Sequence, residues 1–311
     1  MCTCVALNFD RFYFGRNMDL EGSFGECVVT APRNFTLPFK TRPEMERHYA
    51  MIGMAKVVSD YPLFADAMNE KGLCMAGLNF PGNAIYREEH TQQKAAITPF
   101  ELIPWVLGQC ATAKEAEQLL RETEIVAIPF SEQLPLTPLH WLVADRETCF
   151  VIEPMKEGVY LYDNPVGVLT NNPPFPYHMA NIVQYDNLNV YNKADNLSKN
   201  VEVSSLGLGG IGLPGDYSSA SRFVRAAFLR QHLTEKRGGE AQVDAVFHIL
   251  GTVAPPKGCV LSSDGKPHYT TYSCCMDTAA GRYYCKLNGR LDVSCYALGD
   301  ADGDCIFFYE K

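Results

Sequence analysis

The chain is written as many short apolar runs separated by turn residues, with helical sequence confined to two blocks. Residues 2–7 and 12–16 flank Asn8-Phe9-Asp10 and predict an opening hairpin. Further strands are predicted at 26–30, 50–58, 63–68 and 73–78, the last two joined by Asn69-Glu70-Lys71-Gly72, where Gly72 can take positive φ. A helical pair follows. Thr98 is placed as an N-cap with Pro99 at the first helical position of 99–110, and Pro104 is a possible kink. Thr112-Ala113-Lys114-Glu115 has capping-box spacing and opens a helix through Leu120. Strands resume at 140–144, 149–153, 158–162 and 167–170, helices are predicted at 221–232 and 241–250, and 268–309 returns to short β-rich runs. Within the strands, Cys274 and Cys275 read as alternating residues, one buried and one exposed. Strands in number, helices in two blocks and no repeating βαβ unit predict a layered α+β sandwich of mainly antiparallel sheets, not a doubly wound fold.

Several functional classes are disfavoured. A formal net charge of −9 argues against a nucleic-acid partner. No run of 18 apolar residues exists, which gives no membrane span, and the start lacks the basic and apolar regions of a signal peptide. A cytoplasmic protein is therefore expected. Its 12 cysteines then read mostly as small buried hydrophobes, and no C-x-x-C or zinc-finger spacing occurs, so no metal and no cofactor is predicted. Gly207-Leu208-Gly209-Gly210-Ile211-Gly212 satisfies G-x-G-x-x-G, but it follows no strand and opens no helix, so dinucleotide binding is not expected. Residues 187–217 form a polar, Gly-rich excursion, a length that usually serves function or assembly.

Cys2 is the most suggestive reactive group. Removal of Met1 would leave one residue with both a thiol, of reference pKa ~8.5, and an α-amine, ~7.7–8.0, so one can act as base for the other. A cysteine at position 2 is incidental in most proteins, because reactivity depends on surroundings. Here the predicted hairpin brings Phe14-Gly15-Arg16-Asn17-Met18-Asp19-Leu20 alongside. Arg16 would favour thiolate and Asp19 could orient the amine; the bland alternative is a solvated pair at a strand end.

The opening "MCT", then "FGRNMD", "ADAMNEKGL", "AGLNFPG", "GVLTNNPPF" and "GLPGDYSSASRFVRAAFLR" resemble, in order, the choloylglycine hydrolase family. That family contains bile salt hydrolases and penicillin V acylases. The resemblance runs from Cys2 to about Arg230 and continues more weakly to the C-terminus. It implies a four-layer αββα sandwich of the N-terminal-nucleophile type, formed by residues 2–311 as one domain once Met1 is removed. It implies that Cys2 is the nucleophile, that Arg16 and Asp19 flank it, that Asn79 and Asn171 hold the substrate amide and oxyanion, and that Arg222 is a second arginine of the site. Without it, Asn79, Asn171 and Asn172 read as strand-end turn residues, and Arg222 and Arg225 as helix-face charges.

The resemblance also places Met18, Val58, Ala65, Phe130 and Leu134 in the acyl pocket, all apolar as a steroid nucleus requires. Residues 128–135, "IPFSEQLP", lie in a Pro-flanked loop, where apolar groups need a reason. Asn79, where penicillin acylases of the family tend to carry Tyr, favours bile salts. The implied reaction cleaves glycine or taurine from a conjugated bile salt through a Cys2 acyl-enzyme, and Arg16 or Arg222 could meet the anionic leaving group. Alternatives are penicillin V acylase activity, acyl transfer to an amine, and a non-catalytic thiol-rich binding or redox protein. A homotetramer assembled through the 187–217 excursion is expected by the same resemblance.

Overall fold

The structure is a computed structural model that describes residues 1–89, 94–192, 206–235, 237–299 and 301–309. In chain order, β1 (Cys2–Asn8) and β2 (Phe12–Leu20) form the opening hairpin. β3 (Cys27–Ala31), β4 (Met51–Val58), β5 (Tyr61–Asn69) and β6 (Cys74–Asn79) form a meander. The short β7 (Ala95–Ile97) precedes helices α1 (Leu102–Gln109) and α2 (Ala113–Arg121). β8 (Thr123–Ile125), β9 (Leu139–Ala144), β10 (Cys149–Met155), β11 (Gly158–Asp163) and β12 (Val168–Leu169) lead to α3 (Phe175–Ile182), α4 (Ser219–His232) and α5 (Glu240–Thr252). β13 (Tyr269–Asp277), β14 (Arg282–Leu287), β15 (Ser294–Ala297) and β16 (Phe307–Tyr309) complete the described elements.

The strands assemble into a six-stranded sheet, β12-β1-β2-β13-β14-β15, and an eight-stranded sheet, β11-β10-β9-β6-β5-β4-β3-β16. Neighbours within both run antiparallel, while the small β7–β8 pair is parallel. Helices α4 and α5 cover one face of the smaller sheet, packing on β1, β2 and β13. Helices α1 and α2 cover the outer face of the larger sheet, over β5, β6 and β9. The order of layers is therefore helix, sheet, sheet, helix, the N-terminal-nucleophile sandwich.

Side-chain alternation produces this layering. Along β6, Cys74, Ala76 and Leu78 enter the core between the sheets, while Leu73 and Met75 face the α1–α2 layer. Along β9, Leu142 and Ala144 point inward, and Trp141 and Val143 outward to the helices. Each face of the sheet is buried, so the strands read as continuous apolar runs instead of alternating ones. The same burial corrects the reading of Cys274 and Cys275. Both are fully buried, because β13 has helices on one side and the larger sheet on the other.

Other details also depart from expectation. Thr98 is not the cap of α1: the helix begins at Leu102, and the Glu101 carboxylate accepts the backbone N–H groups of Thr98 and Lys40. Pro104 then falls on the third helical residue, whose N–H would have no intrahelical acceptor, so it costs the helix no hydrogen bond. Thr112 does cap α2, accepting from Glu115 N at 3.2 Å. Helix α3 has no counterpart in the predicted elements. Arg225 is buried, not a surface charge, and donates to the carbonyls of Pro214 and Asp216 at the foot of the Gly-rich excursion. Part of that excursion, residues 193–205, lies outside the described residues. No described helix is long and apolar enough to cross a membrane.

Two glycines test the packing in opposite directions. A Cβ on Gly53 would lie 2.0 Å from the Asp66 carbonyl oxygen, so Gly53→Ala is expected to destabilise by roughly 1–3 kcal/mol or more. Gly251, near the end of α5, has open space around it, and Gly251→Ala should stabilise by about 0.5–1 kcal/mol. Chemical denaturation of both variants measures the pair.

Candidate active site

The opening hairpin fixes the first contacts. Its register pairs Cys2 with Met18 and Cys4 with Arg16, so these four side chains share the face of β1–β2 that looks into the larger sheet. Asp19 is three residues beyond Arg16 and therefore points to the opposite face. Its Oδ1 accepts from the Thr270 hydroxyl at 2.6 Å, while the buried Oδ2 has no partner. The amino terminus of Met1 donates to the Asp19 carbonyl at 2.8 Å.

Arg16 is fully buried. Its Nη2 donates to the Gly77 carbonyl at 2.6 Å and lies 3.5 Å from Cys2 Sγ and 3.4 Å from Met18 Sδ. Its Nη1 donates to the Ala65 carbonyl at 2.5 Å and to Asp66 Oδ2 at 3.1 Å. Burial of Cys2 on its own pushes the thiol up. The charges of Arg16 and of the amino terminus outweigh that, and the thiol ends below its ordinary value. Asp19 moves the other way: burial raises its carboxyl, against the pull of Arg222, Thr270 and the amino terminus.

The second half of the site enters on β12 and α4. The antiparallel register sets Leu169 against Cys4, which carries Asn171 to a point beside Cys2. Asn171 Oδ1 accepts from Cys2 N at 2.8 Å and from Arg222 Nη2 at 2.8 Å, while its Nδ2 donates to the Asn79 carbonyl at 2.7 Å. Two donors on one atom and a carbonyl on the other fix the amide orientation. Arg222, on the first turn of α4 behind the Ser218 cap, also donates to the Cys2 carbonyl, to Thr3 Oγ1 at 2.7 Å and to the Tyr217 carbonyl at 3.0 Å. The structure thus brings Cys2, Arg16, Asn171 and Arg222 into direct contact. Asn79 joins them through its backbone carbonyl, and the residue is part of the cavity lining. Asn172 stays apart, its side chain donating to the Pro81 carbonyl at 2.7 Å.

A cavity of about 690 Å³ opens on Cys2 and Arg16. Met18, Leu20, Phe24, Phe64, Ala65 and Leu134 supply apolar wall. Met18, Ala65 and Leu134 of the predicted pocket are therefore present. Val58 and Phe130 are not among its lining residues. Phe130 instead lines an adjoining apolar cavity of about 240 Å³ that shares Leu134, Leu63 and Phe64 with the first. Val58 is the last residue of β4, paired with Tyr61 and half-buried. The expectation that Arg16 or Arg222 could meet an anionic leaving group also changes. Arg222 is not among the lining residues, its guanidinium being buried on protein acceptors, whereas Arg16 reaches the wall beside Cys2, and Lys56 and His268 line it as well.

Some supporting residues were given no role by the sequence reading. His178 Nε2 donates to the Asn171 carbonyl at 2.9 Å, burial keeping the ring pKa low. His140 Nε2 holds the Thr170 carbonyl at 3.0 Å, and Ser219 Oγ accepts from Asn171 N at 2.9 Å. Asp66 stands behind Arg16, bonded to the hydroxyls of Tyr272 and Tyr283. Asp66 could have been singled out as a charge inside the apolar run 63–68, at the start of the motif "ADAMNEKGL".

Comparison with known proteins agrees with this architecture. A penicillin V acylase from Agrobacterium tumefaciens superposes with a TM-score of 0.76 over 98% of this chain and 90% of its own, at 18% identity, which speaks to the fold alone. A conjugated bile acid hydrolase from Clostridium perfringens superposes with a TM-score of 0.92 over 100% of this chain and 97% of its own, at 36% identity. The fold and the amino-terminal thiol define an N-terminal-nucleophile amide hydrolase. The model for linear amide C–N hydrolases of the choloylglycine hydrolase type matches residues 2–306, and the chain belongs to that family. A "bile salt hydrolase/transferase" of Lactiplantibacillus plantarum is 47% identical over 300 residues, covering 96% of this chain and 92% of the relative.

Arg16→Gln removes the charge beside Cys2 and should raise the thiol pKa by about one to three pH units. The pH profile of Cys2 alkylation by iodoacetamide, read from the mass of the peptide that carries Cys2, would move to higher pH; an unmoved profile would refute this electrostatic account.

Proposed function

We propose that the chain hydrolyses the amide bond of glycine- or taurine-conjugated bile salts. The observation that carries this reading is the large apolar cavity that ends on Cys2 and Arg16. A rigid hydrocarbon nucleus can fill it and leave the amide against the thiol. The family relative named as a bile salt hydrolase/transferase supports the same substrate class.

In the proposed reaction, Met1 is removed and the new α-amine of Cys2 accepts the thiol proton. Sγ attacks the carbonyl carbon, and the oxyanion is met by amide donors, each worth ~2.7–4 kcal/mol in comparable sites. Asn171 Nδ2 has one hydrogen left after its bond to the Asn79 carbonyl, and Asn79 is itself a lining residue of the cavity. Collapse breaks the C–N bond as the Cys2 ammonium returns its proton to the departing nitrogen. Water, activated by the same amine, then releases the bile acid. The unpaired Oδ2 of Asp19, close to the amino terminus, is suited to orient that amine.

Acyl transfer to an amine in place of water is a second reading supported by the relative's name, since it needs only the same acyl-enzyme. Residues 2–311 are proposed to act as one cytoplasmic domain assembled into a homotetramer. Exposed Tyr177 on α3, Val183 just after it, and Tyr191 and Ile211 in the excursion support an assembly surface there.

Turnover of glycocholate and phenoxymethylpenicillin on one preparation tests the substrate class, with preference for the first expected and preference for the penicillin overturning it. Activity should scale with the fraction of protein lacking Met1, and Cys2→Ala should lose at least ~10³-fold in kcat. Lys56→Met should raise KM for both conjugates roughly tenfold, as about 1.4 kcal/mol of lost attraction for the anionic end requires.

A further inference from the structure

Arg16 has a second anion on its far side. Asp66, on β5, is fully buried between the sheets and its Oδ2 lies 3.1 Å from Arg16 Nη1. The same carboxylate accepts from Tyr272 OH at 2.6 Å on Oδ2 and from Tyr283 OH at 2.7 Å on Oδ1, with Cys274 Sγ at 3.6 Å. Both phenols come from the smaller sheet, on β13 and β14, and both are fully buried. Burial first, and the Asp66 charge among the further causes, keep them protonated and therefore donors.

The four Nη hydrogens of Arg16 can be assigned, while its buried Nε has no partner among the described residues. Nη1 serves Ala65 and Asp66; Nη2 serves Gly77, and its remaining hydrogen is directed at the sulfurs of Cys2 and Met18. One guanidinium thus stands between the Cys2 sulfur and a carboxylate, and its field is shared between them. A buried ion pair adds little stability by itself, and an apolar replacement is often neutral. Two tyrosines are also more than an ion pair needs. Their O–H groups draw carboxylate charge away from Arg16 and leave more of the cation's field for the sulfur.

We propose that Asp66, Tyr272 and Tyr283 form a positioning group that sets, through Arg16, how readily the Cys2 thiol ionises. This rests on Cys2 being the nucleophile. Other charged and polar groups that face Cys2 are the amino terminus, Asp19, Arg222 and Asn171, with Cys4 adjacent on β1; those that face Asp66 are Arg16, Tyr272, Tyr283 and Cys274. None but the substituted group is altered in the variants below.

The arrangement demands shifts of opposite sign. In Asp66→Asn the competing negative charge is gone, so the pH profile of Cys2 alkylation by iodoacetamide should move down by about one pH unit. In Tyr272→Phe and Tyr283→Phe the carboxylate charge is concentrated on Arg16, so each profile should move up by roughly half a unit. A merely structural role would lower the melting temperature and leave these midpoints in place. Shifts of one sign in all three variants, or midpoints equal to wild type, overturn the proposal. If Asp66→Asn does not fold, the Tyr283→Phe midpoint alone decides: upward supports, unchanged overturns. Alkylation is read by mass without substrate, so failure to turn over bile salts leaves this result intact. Conversely, normal turnover with equal midpoints removes Asp66 and spares the assigned activity.

Discussion

Arg16 is a guanidinium enclosed between two sheets and hydrogen-bonded to both. It leaves β2 of the smaller sheet and ends on the carbonyls of Ala65 and Gly77 and the carboxylate of Asp66, all in the larger one. Removing such a group from water costs several kcal/mol, which only fixed acceptors and an opposing charge can offset. The bulge in β5 opposite Met54 and Ala55 presents the Ala65 carbonyl, and Gly53 allows β4 to approach Asp66 closely. The sandwich and the reactive sulfur are thereby joined at one residue. Whatever moves one sheet against the other also moves the cation beside Cys2.

A second network meets the first at the amino terminus. Asn171 stands on a segment whose backbone is held by His140, His178 and Ser219, and its amide links Cys2, Arg222 and the Asn79 carbonyl. Arg222 closes the ring by gripping the Cys2 carbonyl and Thr3 from α4. The helical layer thus helps to hold the nucleophile, and the two networks approach it from opposite sides. Such preorganisation matters because donors already aimed at the developing charge need not reorganise during reaction.

Some of this was visible in the chain before folding. The hairpin prediction brought Arg16 near the amino terminus, where the register sets it opposite Cys4, and the strand count with separate helical blocks led to the layered sandwich. The order of the motifs linked Cys2 with Asn171 and Arg222, which are far apart in sequence. Tyr272, Tyr283, His140 and His178 lie outside those motifs, and Asp66, though inside one, carried no assigned role. A single residue without a paired partner in sequence carries no spacing to read. The capping of α1 was misplaced because Glu101 serves Lys40, a residue distant in sequence.

The sequence by itself determined what is local or periodic: strands, turns, the α2 cap, the opening hairpin, and the chemistry a thiol and amine on one residue can offer. Tertiary structure decided which face each side chain meets. It put Asp19 away from Arg16 although only three residues separate them, buried both members of the Cys274–Cys275 pair, and set Arg222 behind the cavity wall that Arg16 reaches. The physical reason is the second layer. A strand specifies its two faces by alternation, but what covers each face comes from residues tens to hundreds of positions away.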